Sequence, residues 1–534
     1  MGSEMRSPWR QDPNRLRPAG QPISLSWSAS TPRCFGAVAL AAYQAFAPTA
    51  HAQTWRVEPS ITTTATLTSN SGFANAATTD RDIILELVPR IALTGRGARF
   101  KFDAFAEADS ITYIDKTVAD EVIPKARMTL NTTAIERWLY LDAAAGFQQV
   151  AARPYSPVSN GSLPAFRLDS AQYRLSPFID HAFSPTVSLQ ARNDNIWTHQ
   201  RADLSAIDPR RNTYSQVNRF VFEQRPVPLG YALEANQERT RYANSSIATL
   251  DLKSARGVLT YAIDPTLILG VVGGREHSEF AGGNSDDSIR GVRLRWRPSE
   301  RTDLNASLER RFFDKAWDIV FSHRSPFMAM GFTLNRQPSS QPSSFLIPTL
   351  NGDFRTLVDA AYTTRYPNPA ERAVVVNNAI AALGASASSA GPNEVFSDYA
   401  QVQQRAAASV AFLSPRSALT FQVFTLKAEQ LQRVAQSPLP PLSADTMQLG
   451  GSVAFNRRLT STLSVETSLN GAKIEGIGVS QGLASSSKSA RLTLSQALSP
   501  KTQLITGARR QIVKSTVVQP TQETAVFIGL GHRF

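Results

Sequence analysis

The chain ends on Thr524–Phe534, TAVFIGLGHRF. Read back in steps of two, Phe534, His532, Leu530, Ile528 and Val526 fall on one face, and Arg533, Gly531, Gly529, Phe527 and Ala525 on the other. A period of two marks a strand, whose successive side chains point to opposite sides. One face is mostly greasy, the other mostly small or charged. A soluble protein gains nothing by finishing such a strand on a phenylalanine. A sheet closed on itself in lipid does gain. Its last strand must pair with its first to remove the open edge, and hydrocarbon tolerates no unpaired backbone.

The same alternation runs through the rest of the chain. Leu85, Leu87, Pro89, Ile91 and Leu93 oppose Glu86, Val88, Arg90 and Ala92. Val292, Leu294 and Trp296 oppose Arg293, Arg295 and Arg297. Leu463, Val465 and Leu469 oppose Ser464, Glu466, Ser468 and Asn470. Charges on one face of a strand cannot point into a dry core unpaired. They can line a wet lumen while the apolar face meets lipid.

Between the alternating runs lie two kinds of connection. FSPTVSL (Phe183–Leu189), IDPTLIL (Ile263–Leu269), LSPRSAL (Leu413–Leu419) and LSPKTQL (Leu498–Leu504) are tight turns, in which Pro after Ser or Asp presets the bend. Longer polar stretches, such as Asn70–Thr79, Ala281–Asp287 and Gly476–Ser486, separate them. Short turns on one side and long loops on the other are the pattern of a bacterial transmembrane barrel. The expected fold is therefore all-β, a transmembrane antiparallel up-and-down barrel of roughly 20–22 strands, within a range of 16–22 and an even number. Trp138, Tyr140, Trp197, Trp296 and Trp317 sit in or at the ends of strands, as interfacial aromatics do.

The N-terminal part reads differently. Residues 1–33 are polar and carry five arginines, and CFGAVALAAYQAFAPTA (Cys34–Ala50) then runs into the small-x-small site Ala50-His51-Ala52. This order reads as a secretory signal peptide, expected to be cleaved before Gln53. The apolar run is shorter than the roughly 20 residues of a spanning helix. Cys34 is the only cysteine, so the expected mature part, 53–534, has neither disulfide nor thiol chemistry. The net charge of +13 falls to +10 on that part, because the first 52 residues hold five arginines against Glu4 and Asp12.

One segment interrupts the meander. After Met330–Gln337 the chain runs about sixty residues to the next convincing strand at Tyr399, a length at which a loop is functional or disordered. This segment, 337–398, opens on the spacer PSSQPSS and holds YPNPAERAVVVNNAIAALG, Tyr366–Gly384. Asn368 is a good helix cap, Pro369 a good first helical residue, Glu371 an acid in the first turn and Gly384 a fitting stop, which predicts a helix of about fifteen residues. Asn368, Pro369, Glu371 and Arg372 would form an external cap, or a gate folded into the lumen.

Candidate chemistry is sparse. The histidines of the mature part are scattered without metal-binding spacing, and GASAS (Gly384–Ser388) misses the nucleophile elbow at its last glycine. No catalytic residue, metal ligand, cofactor or phosphate-binding loop is expected, and the chain is not read as an enzyme. GGNSDDS (Gly282–Ser288) reads as a solvated loop rather than a calcium site. Arg293, Arg295 and Arg297 are the candidate lumen-facing basic residues. They either bias the lumen toward anions or pair with acids on neighbouring strands such as Glu309. Export makes nucleic acid an improbable partner.

Several stretches resemble one family, the large outer-membrane proteins encoded with PEP-CTERM/exosortase exopolysaccharide systems. They are WRVEPSITTTATLTSN (Trp55–Asn70), ELVPRIAL (Glu86–Leu93), ERWLYLDAAAGFQQ (Glu136–Gln149), FSHRSPFMAMGFTL (Phe321–Leu334) and YPNPAERAVVV (Tyr366–Val376). Val526, Ile528, Leu530 and Phe534 likewise resemble the C-terminal signal recognised by the barrel assembly machinery. The resemblance implies a Gram-negative outer-membrane barrel tied to exopolysaccharide or envelope biogenesis, and supplies no catalytic residues. Three functions follow as expectations: a passive conduit for exopolysaccharide, a general or anion-preferring porin, or a non-conducting scaffold. The expected partners are outer-membrane lipid, the assembly machinery during biogenesis, polysaccharide and periplasmic export components.

Overall fold

The computed structural model describes residues 54–71, 80–151, 167–201, 210–242, 250–280, 283–339, 401–431, 445–517 and 519–534, together with 359, 362, 363, 366, 372 and 376. Twenty-two antiparallel strands form a single sheet that closes on itself. The first quarter comprises β1 (Thr54–Thr68), β2 (Asp82–Arg96), β3 (Phe100–Tyr113), β4 (Glu121–Ile135), β5 (Leu139–Ala151) and β6 (Arg167–Ala182). Next come β7 (Val187–Arg201), β8 (Arg210–Gln224), β9 (Leu229–Tyr242), β10 (Leu250–Asp264) and β11 (Leu267–Phe280). They are followed by β12 (Gly283–Ser299), β13 (Thr302–Arg311), β14 (Asp314–Arg324), β15 (Met328–Ser339) and β16 (Gln401–Leu413). The sheet ends with β17 (Ser417–Gln430), β18 (Thr446–Arg458), β19 (Leu463–Gly476), β20 (Ala484–Ala497), β21 (Thr502–Ser515) and β22 (Thr521–Arg533).

Closure is made by the stretch that opened the sequence reading. β22 lies antiparallel to β1 from Ser60 opposite Arg533 to Thr68 opposite Ala525. The Phe534 amide adds a further bond to the Pro59 carbonyl at 3.1 Å. Without this seam two strands would present unpaired amides to lipid, each costing several kcal/mol. Val526, Ile528, Leu530 and Phe534 all point outward and remain exposed. His532, less greasy than its companions, donates or accepts at Thr502 Oγ1 (2.9 Å) and packs its ring on Phe534.

Cross-strand register fixes which face each residue takes. Leu233 lies opposite Gly257, Leu259 opposite Val271, Val271 opposite Val292, and Val292 opposite Leu308, so these side chains share the outer face. Leu85, Leu233, Val271, Val292, Leu308 and Val526 are each more than 40% exposed. A continuous apolar surface of this size needs an apolar solvent. Among the described residues no helix is long and apolar enough to cross a membrane, and the crossing is made by strands.

The strand number lies at the top of the expected range. The structure also amends three expectations. The stretch Ala281–Asp287 is not a long loop, because β12 already begins at Gly283 and Asp286 and Asp287 are paired strand residues on opposite faces. Tyr140 is not an interfacial aromatic. It faces inward, stacked on Phe178 at 5.1 Å, because Leu139 and Leu141 take the outer positions on either side of it. The long connection between β15 and β16 spans 340–400, since β15 runs on to Ser339. Asn368, Pro369 and Glu371 lie outside the described residues, whereas Arg372 and Val376 are helical. So are Asp359 and Tyr362, ahead of the expected helix start.

Candidate functional site

Two stretches of the lumen wall are unlike. On β9–β13 the inward face is charged. Arg293 lies inward because Val292 and Leu294 take the outer positions, and its guanidinium grips Glu234 in bidentate fashion, with Nη2 donating to Oε2 at 2.8 Å. Its Nη2 also stands 3.5 Å from Glu309 Oε1. Arg256 sits between the same two acids, 3.5 Å from Glu309 and 3.9 Å from Glu234. One strand position further along the wall, Arg311 Nη2 donates to Glu276 at 2.7 Å, and the other oxygen of Glu276 accepts from the Phe312 amide at 2.7 Å. Side chains this close to sequestered must be satisfied by one another. Glu234, Glu276, Arg293 and Arg311 are, whereas Arg256 Nε is buried without a hydrogen-bond partner.

Similar groups recur around the barrel. Arg192 bridges Asp142 (2.8 Å) and Asp194 (2.9 Å) while its guanidinium lies over the Phe178 ring, and Arg174 joins Asp194 at 3.1 Å. Near the seam, Arg90 pairs with Glu107 at 3.0 Å and Arg509 with Glu523 at 2.9 Å, and Thr68 Oγ1 donates to Glu523 at 2.8 Å.

The three arginines singled out from sequence thus share the inner face but differ in state. Arg293 is held by Glu234 and Glu309. Arg297 donates to Asp303 at 2.7 Å. Arg295 has no ionic partner among the described residues. Most of the charge is offset locally, so this wall is a lattice of ion pairs and not a positive field.

A second stretch, β15–β18, is smooth apart from Arg405 on β16. Its inward residues are Ala329, Gly331 and Thr333 on β15, then Ala407, Ser409 and Ala411 on β16. β17 and β18 add Thr420, Gln422, Phe424, Gly450, Ser452 and Ala454. Phe424 lies flat over Gly450, where an added Cβ would come within 2.6 Å of the ring. The aromatic therefore lines the wall instead of projecting from it.

A pore wall should be wet, yet Ala411 and Ala329 are fully buried, and Leu413, Phe424 and Ala454 nearly so. Tyr362 packs on the cluster of Ala329, Ala411 and Leu413. This contact is distant from where its segment is tethered. The segment leaves β15 at Ser339 and re-enters at Gln401, at the long-connection end. Ala329, Ala411 and Leu413 lie beside the short turns, roughly 30 Å away along the strand at about 3.3 Å per residue. Arg372 Nε donates to Asp359 Oδ1 at 3.0 Å, and its Nη1 to the Tyr366 carbonyl at 3.0 Å, tying the segment to itself. Arg372 was legible as part of this segment. Tyr362 and Asp359 were not, although Tyr362 and Tyr366 stand four apart, a helical spacing for an aromatic pair.

No family model matches the chain, and no curated protein matches it either. Solved structures of similar architecture include the FrpB iron transporter from Neisseria meningitidis, at 9% identity and a TM-score of 0.47, covering 89% of this chain and 82% of that one. The ferric enterobactin receptor PfeA from Pseudomonas aeruginosa, in complex with enterobactin, gives 10% identity and 0.47, covering 90% and 81%. The siderophore receptor PirA from Pseudomonas aeruginosa gives 8% and 0.42, covering 91% and 81%. At these identities and scores the likeness adds nothing about cargo.

Proposed function

We propose that this chain is a passive outer-membrane channel whose lumen is occupied by the segment between β15 and β16, and that its cargo is exopolysaccharide. The short turns would face the periplasm and the long connections the outside, after export directed by residues 1–52. The observation that carries the reading is the seat of Tyr362 on the smooth wall, at the end of the lumen opposite its tether. A segment that crosses the lumen there closes it, and its removal opens it.

The nature of the smooth wall favours a neutral hydroxylated polymer. Ser409, Thr420, Gln422, Gln448 and Ser452 offer many weak hydrogen-bonding groups, with the charge of Arg405 beside them on β16. Conduction needs binding that is weak and repeated, so that a chain enters and also leaves. Periplasmic export components would feed such a conduit, and the barrel assembly machinery would insert it. No energy coupling is proposed within the chain.

The test is ion conductance of the refolded protein in a planar bilayer, comparing the full chain with a variant in which residues 341–399 are replaced by a short Gly/Ser linker. The full chain is expected to stay shut and the variant to conduct, with polysaccharide acting as a blocker from the periplasmic side. Silence in both forms would overturn the channel and leave a non-conducting scaffold. Unblocked conductance by the variant would keep the channel and remove its cargo.

A further inference from the structure

On the outer face of β11–β14 the apolar band stops abruptly at cations. The next outward residue beyond Val292 is Arg290, beyond Leu308 it is Arg310, and beyond Trp317 it is Lys315. On β11 the outward sequence is Val271, Gly273, Arg275. Each of these four cations stands eight or nine positions in from the short-turn end of its strand. They form a belt at one height, near the upper limit of a band roughly 25 Å tall.

Three of them lie in a single cross-strand row. Arg290 is directly opposite Arg310, and Arg310 directly opposite Lys315. Like charges facing one another on adjacent strands are destabilising. No acid compensates for them. Arg275, Arg290, Arg310 and Lys315 are exposed and have no ionic partner among the described residues. Of the outward acids above the row, Asp286 is engaged with His277 at 2.7 Å and Asp251 with Lys253 at 3.2 Å, and Glu279 stands four residues beyond Arg275 toward the end of β11. In the lumen, by contrast, most arginines described stand against an acid, as Arg192, Arg256, Arg293, Arg311 and Arg509 do.

The same row continues into bare backbone. Gly273 faces Arg290, and Gly257 faces Gly273. A Cβ added at Gly273 would meet nothing within 4 Å, and one at Gly257 only a carbonyl oxygen at 3.9 Å. No neighbour in the fold requires glycine at these two places for lack of room.

We propose that this belt is a docking site for a lipid with a phosphorylated headgroup, in the leaflet on the long-connection side. The phosphates would lie across Arg290, Arg310 and Lys315, and the acyl chains below them against the glycines and the apolar band. The inference rests on the orientation given under Proposed function. Charge complementarity selects the headgroup: cations beside a membrane surface gain about 1 kcal/mol each from anionic lipid. The apolar band immediately below selects a lipid over a soluble anion.

Native mass spectrometry of the full chain tests this, with lipid A (a bisphosphorylated glycolipid) titrated into the micelles. The comparison is with a variant carrying Arg290→Gln, Arg310→Gln and Lys315→Gln. Wild type is expected to retain lipid A and the triple variant to bind it about a hundredfold more weakly. Gly257→Leu with Gly273→Leu, which fills the bare patch and keeps the charges, should also weaken retention. Heat-modifiable electrophoretic mobility confirms that each variant is folded. Equal retention by the folded triple variant would overturn the site. Displacement of lipid A by inorganic phosphate or by soluble alginate as readily as by lipid A itself would overturn the lipid assignment in favour of a soluble anion. Insertion into phosphatidylcholine vesicles separates the two proposals. If the full chain inserts but retains no lipid A, while the variant lacking residues 341–399 conducts, the lipid site alone fails. One that never inserts fails both.

Discussion

Two stretches of the lumen wall, β9–β13 and β15–β18, are built on the same backbone and solve different problems. On β9–β13, long charged side chains project inward and bind one another across three or four strands, Glu234 and Glu309 with Arg256 and Arg293. On β15–β18, the inward positions are mostly Ala, Ser, Thr, Gly, Asn and Gln, with Arg405 the charge on β16, and even Phe424 lies down over Gly450. The first wall fills its own space and is anchored sideways. The second leaves space, and Tyr362 occupies it. A charged wall is a poor seat for a removable segment, since leaving it would expose or unpair ions. Around Ala329, Ala411 and Leu413, a smooth wall without charge releases its occupant at the cost of a few apolar contacts.

The difference is broken most directly by giving the smooth wall a charge. Ala411→Arg places a cation under Tyr362, against the apolar Ala329, Leu413 and Ala418. The segment should be pushed from its seat. Because overpacking of this kind costs about 1–3 kcal/mol, the open state of the full-length channel should gain about tenfold or more in population. Bilayer conductance of the full chain reads this. A channel that stays as closed as wild type would mean that Tyr362 does not hold the segment in place.

The second test removes an acid from the charged wall. Glu309→Gln leaves Arg256 and Arg293 to share Glu234, with the Glu309 side chain only 7% exposed in the native protein. Breaking a sequestered network from one side costs about 3 kcal/mol, and the fall should appear in the urea midpoint at which the folded, heat-modifiable band is lost. A loss close to zero would mean that water already satisfies these arginines, and the two walls would then differ in composition but not in rigidity.

Much of this architecture was legible in the sequence, and the reason is the strictness of the barrel. A period of two assigns every residue of a strand to lipid or lumen, so Leu85 against Glu86 and Val292 against Arg293 could be read without coordinates. The closing strand announced itself because only a seam explains a greasy terminal face. The misreadings came where the outer face is polar. Above the apolar band, β11 and β12 continue with His277 paired to Asp286, and a polar run of this kind resembles a loop. The site was less legible than the fold. Arg293 was identifiable as inward, but its pairing with Glu234 joins residues 59 apart through three strand crossings. The seat of Tyr362 depends on small residues of β15, β16 and β17 meeting in register, and alanines carry no signature in a sequence.

A smaller effect is expected within the smooth wall itself. Gly450→Val forces a side chain into the Phe424 ring, which lies 2.6 Å from an ideal Cβ. Phe424 must swing toward the lumen, at a cost of about 1–3 kcal/mol in barrel stability. In the channel lacking residues 341–399, the swung ring should also narrow the pore and lower single-channel conductance. Unchanged conductance with lowered stability would mean that Phe424 turned along the wall, and that the smoothness of this stretch does not depend on glycine.

The smallest effect sharpens the comparison from the charged side. Arg297 belongs to the same inward row as Arg293, but its side chain is 51% exposed and it binds the single acid Asp303. An exposed pair of this kind is worth about 0–1 kcal/mol, because water screens it and two long side chains must be held still. Arg297→Gln should therefore leave the urea midpoint nearly where it was, while Glu309→Gln lowers it. If both variants lost the same stability, the wall would be one cooperative lattice from Asp303 to Glu276. If only Glu309→Gln did, rigidity belongs to the sequestered knot around Arg256, and the arginines nearer the short turns are free to meet whatever enters the lumen.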